Sequence, residues 1–273
     1  MNKKIKAILF GDFTWMRLLR SSIFIYVCIA IFAYFYSEKM IFQNNPSSYK
    51  ENNFDGLLKI KVSGDQFICA KYFPCPAAKY TILMSHGNSE DIGETEDVAV
   101  NFVKHGFSVL TYDYRGYGLS SGKSSEKNAC QDVMAAYSYL VDDTKVPPEN
   151  IIAYGRSLGG AFALEVASKK KVGGVILESA FATAFTVLLP PVFPFDRMKN
   201  INKIGKINCP ILIIHGTKDN VVPFSHAGKL FRNAKEPKYF LELKDESHNI
   251  SENGGEEFWK AVEDFRESIA KGN

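Results

Sequence analysis

A serine held between glycines, Gly155-Arg156-Ser157-Leu158-Gly159-Gly160, constrains this chain more than any other stretch. It follows a short apolar run, Asn150-Ile151-Ile152-Ala153-Tyr154, and leads into an alanine-rich helical pattern, Ala161-Phe162-Ala163-Leu164-Glu165-Val166-Ala167. A strand that turns directly into a helix brings backbone against backbone, so side chains at Gly155 and Gly159 would collide with their neighbours. The serine between them is driven into strained backbone angles. In return its hydroxyl is exposed at a helix N-terminus, where the dipole favours a developing oxyanion. Such a nucleophile elbow needs an acid, a base and a second oxyanion donor at neighbouring strand ends.

The order of elements supplies those strand ends. Leu57 to Val62 and Gln66 to Phe73 read as two strands joined by the hairpin signal Ser63-Gly64-Asp65. Further strands are expected at Tyr80 to Ser85, Phe107 to Tyr112, Asn150 to Tyr154, Gly174 to Leu177, Pro210 to Ile214 and Tyr239 to Leu243. Helices are expected at Asp97 to Lys104, Asn128 to Val141, Leu158 to Ser168, Ser225 to Phe231 and Glu256 to Ile269. Leading antiparallel strands followed by repeated βα units predict an α/β fold, a mostly parallel central sheet flanked by helices.

Residues 1–21 form a basic segment, with Lys3, Lys4, Lys6, Arg17 and Arg20 against Asp12 alone. The remainder carries 28 basic and 29 acidic residues, so the body offers no basic surface of the kind that binds nucleic acid. The run 22–37 is free of charge from Ser22 to Tyr36 and reads as a transmembrane signal anchor. A cleaved signal peptide is the rival reading, but no A-x-A site follows; a buried core helix is the bland alternative, and apolarity on every face argues against a helix on a domain surface. The Lys/Arg bias places the N-terminus in the cytoplasm and the body on the far side, an asymmetry weakened by Lys39 and Lys50. Residues 38–54 read as a polar linker, and 55–273 as the catalytic domain. Of five cysteines, Cys28 lies in the apolar run, and Cys130 and Cys209 look like core positions. Scattered reduced thiols are expected, with a Cys69–Cys75 disulfide as the alternative for an exported body. No Cys/His cluster suggests a metal.

In an open α/β sheet, functional groups sit on loops at the carboxyl ends of strands. A base for work near neutral pH must be a histidine. His86 and His215 each precede a glycine as turn residues, His105 sits at a helix end, and His226 opens a helix. His248, on the loop after the last expected strand, is the candidate base. Asp219 lies past the strand ending at Ile214 and is the candidate acid, with Glu178 as its main competitor; Asp245 is too close to His248 along the chain. For the oxyanion hole, Gly87 lets the backbone approach the substrate, so the Asn88 amide would pair with that of Leu158. Asp113 and Arg115 read as an internally paired turn scaffold. The chain order Ser157, Asp219, His248 is that of an α/β hydrolase.

His86-Gly87-Asn88, the Asp113 to Gly118 turn, Gly155 to Gly160, His215 to Asp219 and His248-Asn249 together resemble the α/β-hydrolase superfamily over roughly residues 55 to 270. Within it the chain is similar to the small-lidded branch that holds α/β-hydrolase domain-containing proteins 13 and 17 and bacterial membrane-anchored relatives. The stretch Asn208 to Gly216, through Phe224-Ser225-His226, resembles the type-17 proteins particularly. That resemblance implies a protein depalmitoylase, a thioesterase or esterase acting on S-palmitoylated proteins or lipid-like esters at a membrane. Type-17 proteins attach through an N-terminal cysteine cluster, whereas this chain has an apolar segment with Cys28 alone.

The expected chemistry is two-step acyl transfer with neither metal nor organic cofactor. Phe181 to Phe195 is the expected short lid, with Phe181, Phe185, Leu188 and Leu189 as candidate acyl-chain contacts; plain packing against the sheet explains the same residues equally well. A serine peptidase, a lipase or a carboxylesterase would use the same triad. A membrane-tethered binding protein without activity is the reading from another class.

Overall fold

The computed structural model describes residues 14–188, 190–253 and 255–272. It divides into two compact units, Met1–Met40 and Ile41–Asn273.

The first unit is built on one helix, α1 (Trp15–Ile41), of 27 residues with its apolar stretch unburied. At 1.5 Å per residue it spans about 40 Å, more than the ~30 Å hydrocarbon core of a bilayer. It outruns the charge-free segment at both ends, taking in Arg17 and Arg20 before it and Glu38 and Lys39 after it. The helix is therefore long and apolar enough to cross a membrane.

The second unit is an eight-stranded sheet in the order β1-β2-β4-β3-β5-β6-β7-β8. The strands are β1 (Leu57–Ser63), β2 (Gln66–Phe73), β3 (Thr81–Ser85), β4 (Ser108–Tyr112), β5 (Ile151–Arg156), β6 (Gly174–Glu178), β7 (Ile211–Gly216) and β8 (Lys238–Leu243). β1 and β2 pair antiparallel and β2 joins β4 antiparallel; from β4 through β8 every pairing is parallel. This is the expected α/β architecture, and its crossover helices cover both faces.

Alternation along each strand feeds two separate cores. Leu83, Ala153, Leu177 and Ile213 face α3 (Glu126–Ser138), α4 (Gly160–Lys169), α5 (Asn200–Ile204) and α6 (Ser225–Asn233). Ile82, Met84, Ile152, Ile176, Leu212 and Ile214 face α2 (Glu96–Lys104) and α8 (Glu256–Gly272). Helix α8 shows why it packs as it does: Phe258, Val262, Phe265 and Ile269 recur at helical spacing and are all buried. Helix α3 begins where the Ser125 hydroxyl accepts the Asn128 amide at 3.1 Å. Between β8 and α8 lies a short helix, α7 (Ile250–Asn253). Neither α5 nor α7 was expected from the sequence, because helices of four or five residues carry too little periodicity to read.

The segment 38–54, expected as a linker, belongs from Ile41 onward to the second unit. Phe42, Tyr49 and Phe54 are buried. Side-chain amides tie it to the body: Asn44 Nδ2 donates to Gly116 O at 2.6 Å and Asn45 Nδ2 to Ser89 O at 2.9 Å. Its polar composition serves these bonds to loop carbonyls and not solvation alone. Cys69 and Cys75 are free thiols, so the disulfide alternative is not realised.

Candidate active site

The sharp turn after β5 has the geometry its glycines implied. Ser157 opens a single 3₁₀ turn, Ser157–Gly159, that passes straight into α4. Its φ is +52°, the left-handed region that a non-glycine residue occupies only under constraint. A Cβ on Gly155 would stand 2.4 Å from Gly159 O, and one on Gly159 would stand 2.0 Å from Ser85 O. Backbone on three sides leaves this corner no other shape.

The candidate acid and base meet. His248 Nδ1 lies 2.8 Å from Asp219 Oδ2, joining the loop after β7 to the loop after β8. Asp219 Oδ1 accepts the amides of Val221 at 2.9 Å and Val222 at 2.8 Å, which fixes the carboxylate plane. His215 Nε2 stands 3.1 Å from Asp219 Oδ2 and 2.9 Å from Val222 O. Burial disfavours the charged carboxylate, yet hydrogen bonds from His215, His248 and the Val222 amide outweigh it and hold Asp219 below the usual carboxylate range. His215, read from sequence as a turn residue, is thus buried beside the candidate acid; only its place at a strand end could have signalled this.

Glu178, the competing acid, has a different job. Its carboxylate accepts the Tyr154 hydroxyl, the Ile250 amide at 3.1 Å, and both the amide and the hydroxyl of Ser251 at 3.0 and 3.1 Å. Those groups open α7, just past His248, so Glu178 holds the loop of the imidazole and not its ring. Ser179 Oγ adds a bond to His248 O at 2.8 Å.

On the other side of the elbow, the loop after β3 carries Gly87 and Asn88. The Gly87 amide donates to Glu90 Oε2 at 2.9 Å, and Glu90 Oε1 meets Arg156 Nη2 at 2.6 Å. The Asn88 side chain is fully engaged: Nδ2 donates to Ile41 O at 2.7 Å, while Oδ1 accepts the Gln43 amide at 3.1 Å and the Tyr117 hydroxyl at 2.7 Å. These bonds aim the side chain away from the role expected of the residue, which is to present its backbone amide. His86 is buried, and that burial pushes its pKa down. Its carbonyl accepts the Tyr114 hydroxyl at 2.7 Å.

The expected Asp113–Arg115 pair does not form. Arg115 turns to α3, where Nε and its amide bond Asp132 at 2.6 and 2.8 Å. Asp113 instead accepts the Tyr49 hydroxyl and the Ile92 amide, the latter at 2.8 Å. Residues two apart on a tight turn diverge, so each finds a partner on another element. Both remain structural. His226 is buried in bonds to Ala182 N and Thr186 O, and His105 stacks on Trp259 beside Glu263.

The four candidate acyl contacts separate. Phe181 is buried in the core against the sheet, in line with the packing alternative. Phe185 sits in a 3₁₀ turn, Phe185–Val187, with its ring against Phe193 and Phe195. Leu188 projects outward, 86% exposed. Leu189 lies outside the described residues. Among the described residues, no group of three or more His, Cys, Asp or Glu is arranged to hold a metal ion.

With the geometry in place, comparison with known proteins assigns the scaffold. A family model described as serine aminopeptidase, S33, matches residues 76–198. The α/β hydrolase domain-containing protein 17B of Homo sapiens is 36% identical over 207 residues, covering 74% of this chain and 72% of the relative. The chain belongs to the α/β hydrolase domain-containing protein 17 family. The Xenopus laevis 17B protein is 38% identical over 190 residues, covering 68% of this chain and 66% of its own length. The chain thus spans 66% and 72% of the lengths of these two family members. An esterase of Pyrococcus furiosus shares the fold with a TM-score of 0.69 at 18% identity, over 84% of this chain and 98% of its own. A monoacylglycerol lipase of Paleococcus ferrophilus shares it at a TM-score of 0.59 and 20% identity, over 74% and 98%. Family and fold are those of α/β hydrolases.

Proposed function

We propose that this chain hydrolyses long-chain acyl esters or thioesters at a membrane, through an acyl-serine intermediate on Ser157. The observation that carries the reading is the 2.8 Å bond between His248 Nδ1 and Asp219 Oδ2. With the Nδ1 proton donated to Asp219, His248 Nε2 is left as the base. Ser157 Oγ attacks the acyl carbonyl and gives its proton to that nitrogen, while Asp219 steadies the imidazolium. The amides of Asn88 and Leu158 receive the tetrahedral oxyanion. His248 then protonates the departing alcohol or thiol, and water repeats the sequence on the acyl-enzyme. No step calls on a metal or an organic cofactor.

For the acyl group, the reading draws on α1 as a membrane anchor, on the outward Leu188 and half-exposed Val192 of the lid, and on kinship with the type-17 proteins. Its substrate would be an S-palmitoylated protein or a lipid-like ester, and its N-terminus would lie in the cytoplasm. Phe185, Leu188 and Leu189 would contact the chain.

The test compares turnover of a palmitoyl thioester, a butyryl ester and a dipeptide amide by the full chain in detergent micelles. A higher kcat/KM on the palmitoyl substrate is expected. A preference for the dipeptide amide would replace the reading with the peptidase that the matching family model names. Fluorophosphonate should label Ser157; a folded chain that takes no label is not a serine hydrolase.

A further inference from the structure

Near the candidate catalytic groups runs a line of charge, buried at Arg156 and Glu178 and partly exposed at Glu90, that acid–base chemistry does not use. Arg156 ends β5 immediately before Ser157 and is 3% exposed; Glu178 ends β6 and is fully buried. The two are register partners on adjacent parallel strands, so their side chains leave the sheet on the same face. Glu90, on the loop after β3, bonds Arg156 with one carboxylate oxygen and the Gly87 amide with the other. Burial alone would weaken the charge of Arg156, but the carboxylates of Glu90 and Glu178 hold its guanidinium firmly protonated.

Each member grips a different piece of backbone. Glu90 holds Gly87, next to the Asn88 amide. Arg156 is part of the strand that delivers Ser157 and Leu158. Glu178 holds the amides of Ile250 and Ser251, next to His248. The three pieces of backbone so held are far apart in sequence, and an ion pair with hydrogen-bonded ends is directional in a way that apolar packing is not.

We propose that Glu90, Arg156 and Glu178 are positioning residues for ester hydrolysis, one ionic bracket that sets the oxyanion loop, the elbow and the histidine loop at fixed spacing. The inference rests on the roles assigned above to Ser157, His248 and the two amides. It goes beyond them in naming what keeps those groups at reacting distance.

The experiment measures kcat, KM and thermal midpoint for the full chain on a butyryl ester, whose short acyl group makes little use of the lid. Glu90→Gln and Arg156→Gln should each lower kcat by about 30- to 100-fold with KM within about threefold, as expected for displacements near 1 Å. Each single variant also leaves a buried charge short of a partner and should melt earlier. The double variant E90Q/R156Q removes the Glu90–Arg156 pair, leaving Glu178 to its backbone and hydroxyl donors, and should recover part of the lost melting temperature while kcat stays low. That separation distinguishes positioning from plain stability: recovery of both kcat and midpoint in the double variant overturns the proposal. Arg156→Lys keeps the charge but not the guanidinium fork and guards against a double variant that fails to fold. It should lose about tenfold in kcat at a near-parent midpoint, and parent-like turnover in it overturns the bracket. Glu178→Gln should lower kcat in the same sense, and a loss carried by KM alone counts against the idea. An inactive parent that takes no fluorophosphonate rejects the hydrolase reading itself, and the bracket with it. An active parent whose folded variants match it rejects the bracket only.

Discussion

The floor of the candidate site and the segment expected as its lid are held together by a different balance of forces. On the floor, Arg156, Glu178 and Asp219 are buried, and each is met by opposite charge or by backbone amides. Around Phe185, Phe193 and Phe195 aromatic packing is prominent, with ring centroids 5.5 to 5.9 Å apart beside a cavity of about 130 Å³, and hydrogen bonds such as Phe185 N to Asp196 Oδ1 at 2.8 Å supplement it. Charged hydrogen bonds fix distance and angle, whereas apolar contacts are non-directional and tolerate repacking. Under the proposed function, chemistry that demands sub-ångström placement would sit on the first kind of support, and selection of an acyl group on the second. The two sides should fail differently when altered.

The largest effect is expected at the nucleophile. Ser157→Ala should lower kcat on a butyryl ester by about 10⁴- to 10⁶-fold, with a thermal midpoint close to the parent's. Turnover near the parent's would show that another group attacks the carbonyl. Next comes Gly159→Ala, which puts a methyl group where Ser85 O already stands. The elbow cannot relax without moving β3, so a loss of about 3 kcal/mol is expected, at the upper end of overpacking costs. Urea unfolding measures it, and an unchanged midpoint would mean that the floor is far softer than its contacts imply.

The third effect is a pH dependence at the edge of the floor, where Asp113 receives the Tyr49 hydroxyl and the Ile92 amide. Burial raises the Asp113 carboxyl from its ordinary 3.8 to about 8. A group whose folded pKa is raised binds its proton more tightly in the folded state. Its stabilising contribution is complete below about pH 4, declines as pH rises, and is gone above about pH 8. Asp113→Asn stays neutral throughout and should not share that decline. Thermal melts from pH 5 to 9 should show the variant gaining steadily on the parent, with the gap levelling off above pH 8. Parallel curves would mean that Asp113 is charged in the fold and that the floor tolerates unpaired charge there.

How far the sequence disclosed this site follows the same division. The turn at Ser157 and the meeting of Asp219 with His248 were legible because each residue follows a strand, and strand ends converge in a parallel sheet. The glycines were legible because backbone crowding leaves no substitute. The bracket was not, since Glu90, Arg156 and Glu178 are brought together by sheet register and loop return, and none carries a local signature. Nor was the tie from Asn88 to Ile41 and Gln43, and without it residues 38–54 read as a linker. The pairing of Asp113 with Arg115 failed because nearness along the chain was taken for nearness in space. The lid was legible only as apolar, which separates Phe181 in the core from Leu188 in solvent no better than chance.

The smallest effect should come from the lid, and it offers the sharpest separation of the two regions. Leu188 is exposed and forms no part of the core, so Leu188→Ser should leave the thermal midpoint unchanged. If the side chain covers a bound acyl chain, the substitution removes apolar contact only when that chain is long enough to reach it. A lost contact worth about 1 kcal/mol corresponds to roughly five- to tenfold in kcat/KM for a palmitoyl substrate. A butyryl substrate, too short for the lid, should change less than about twofold. Equal losses on both would place Leu188 in the mechanics of the floor. No loss on either would leave the lid without a part in acyl recognition and return its aromatic cluster to plain packing.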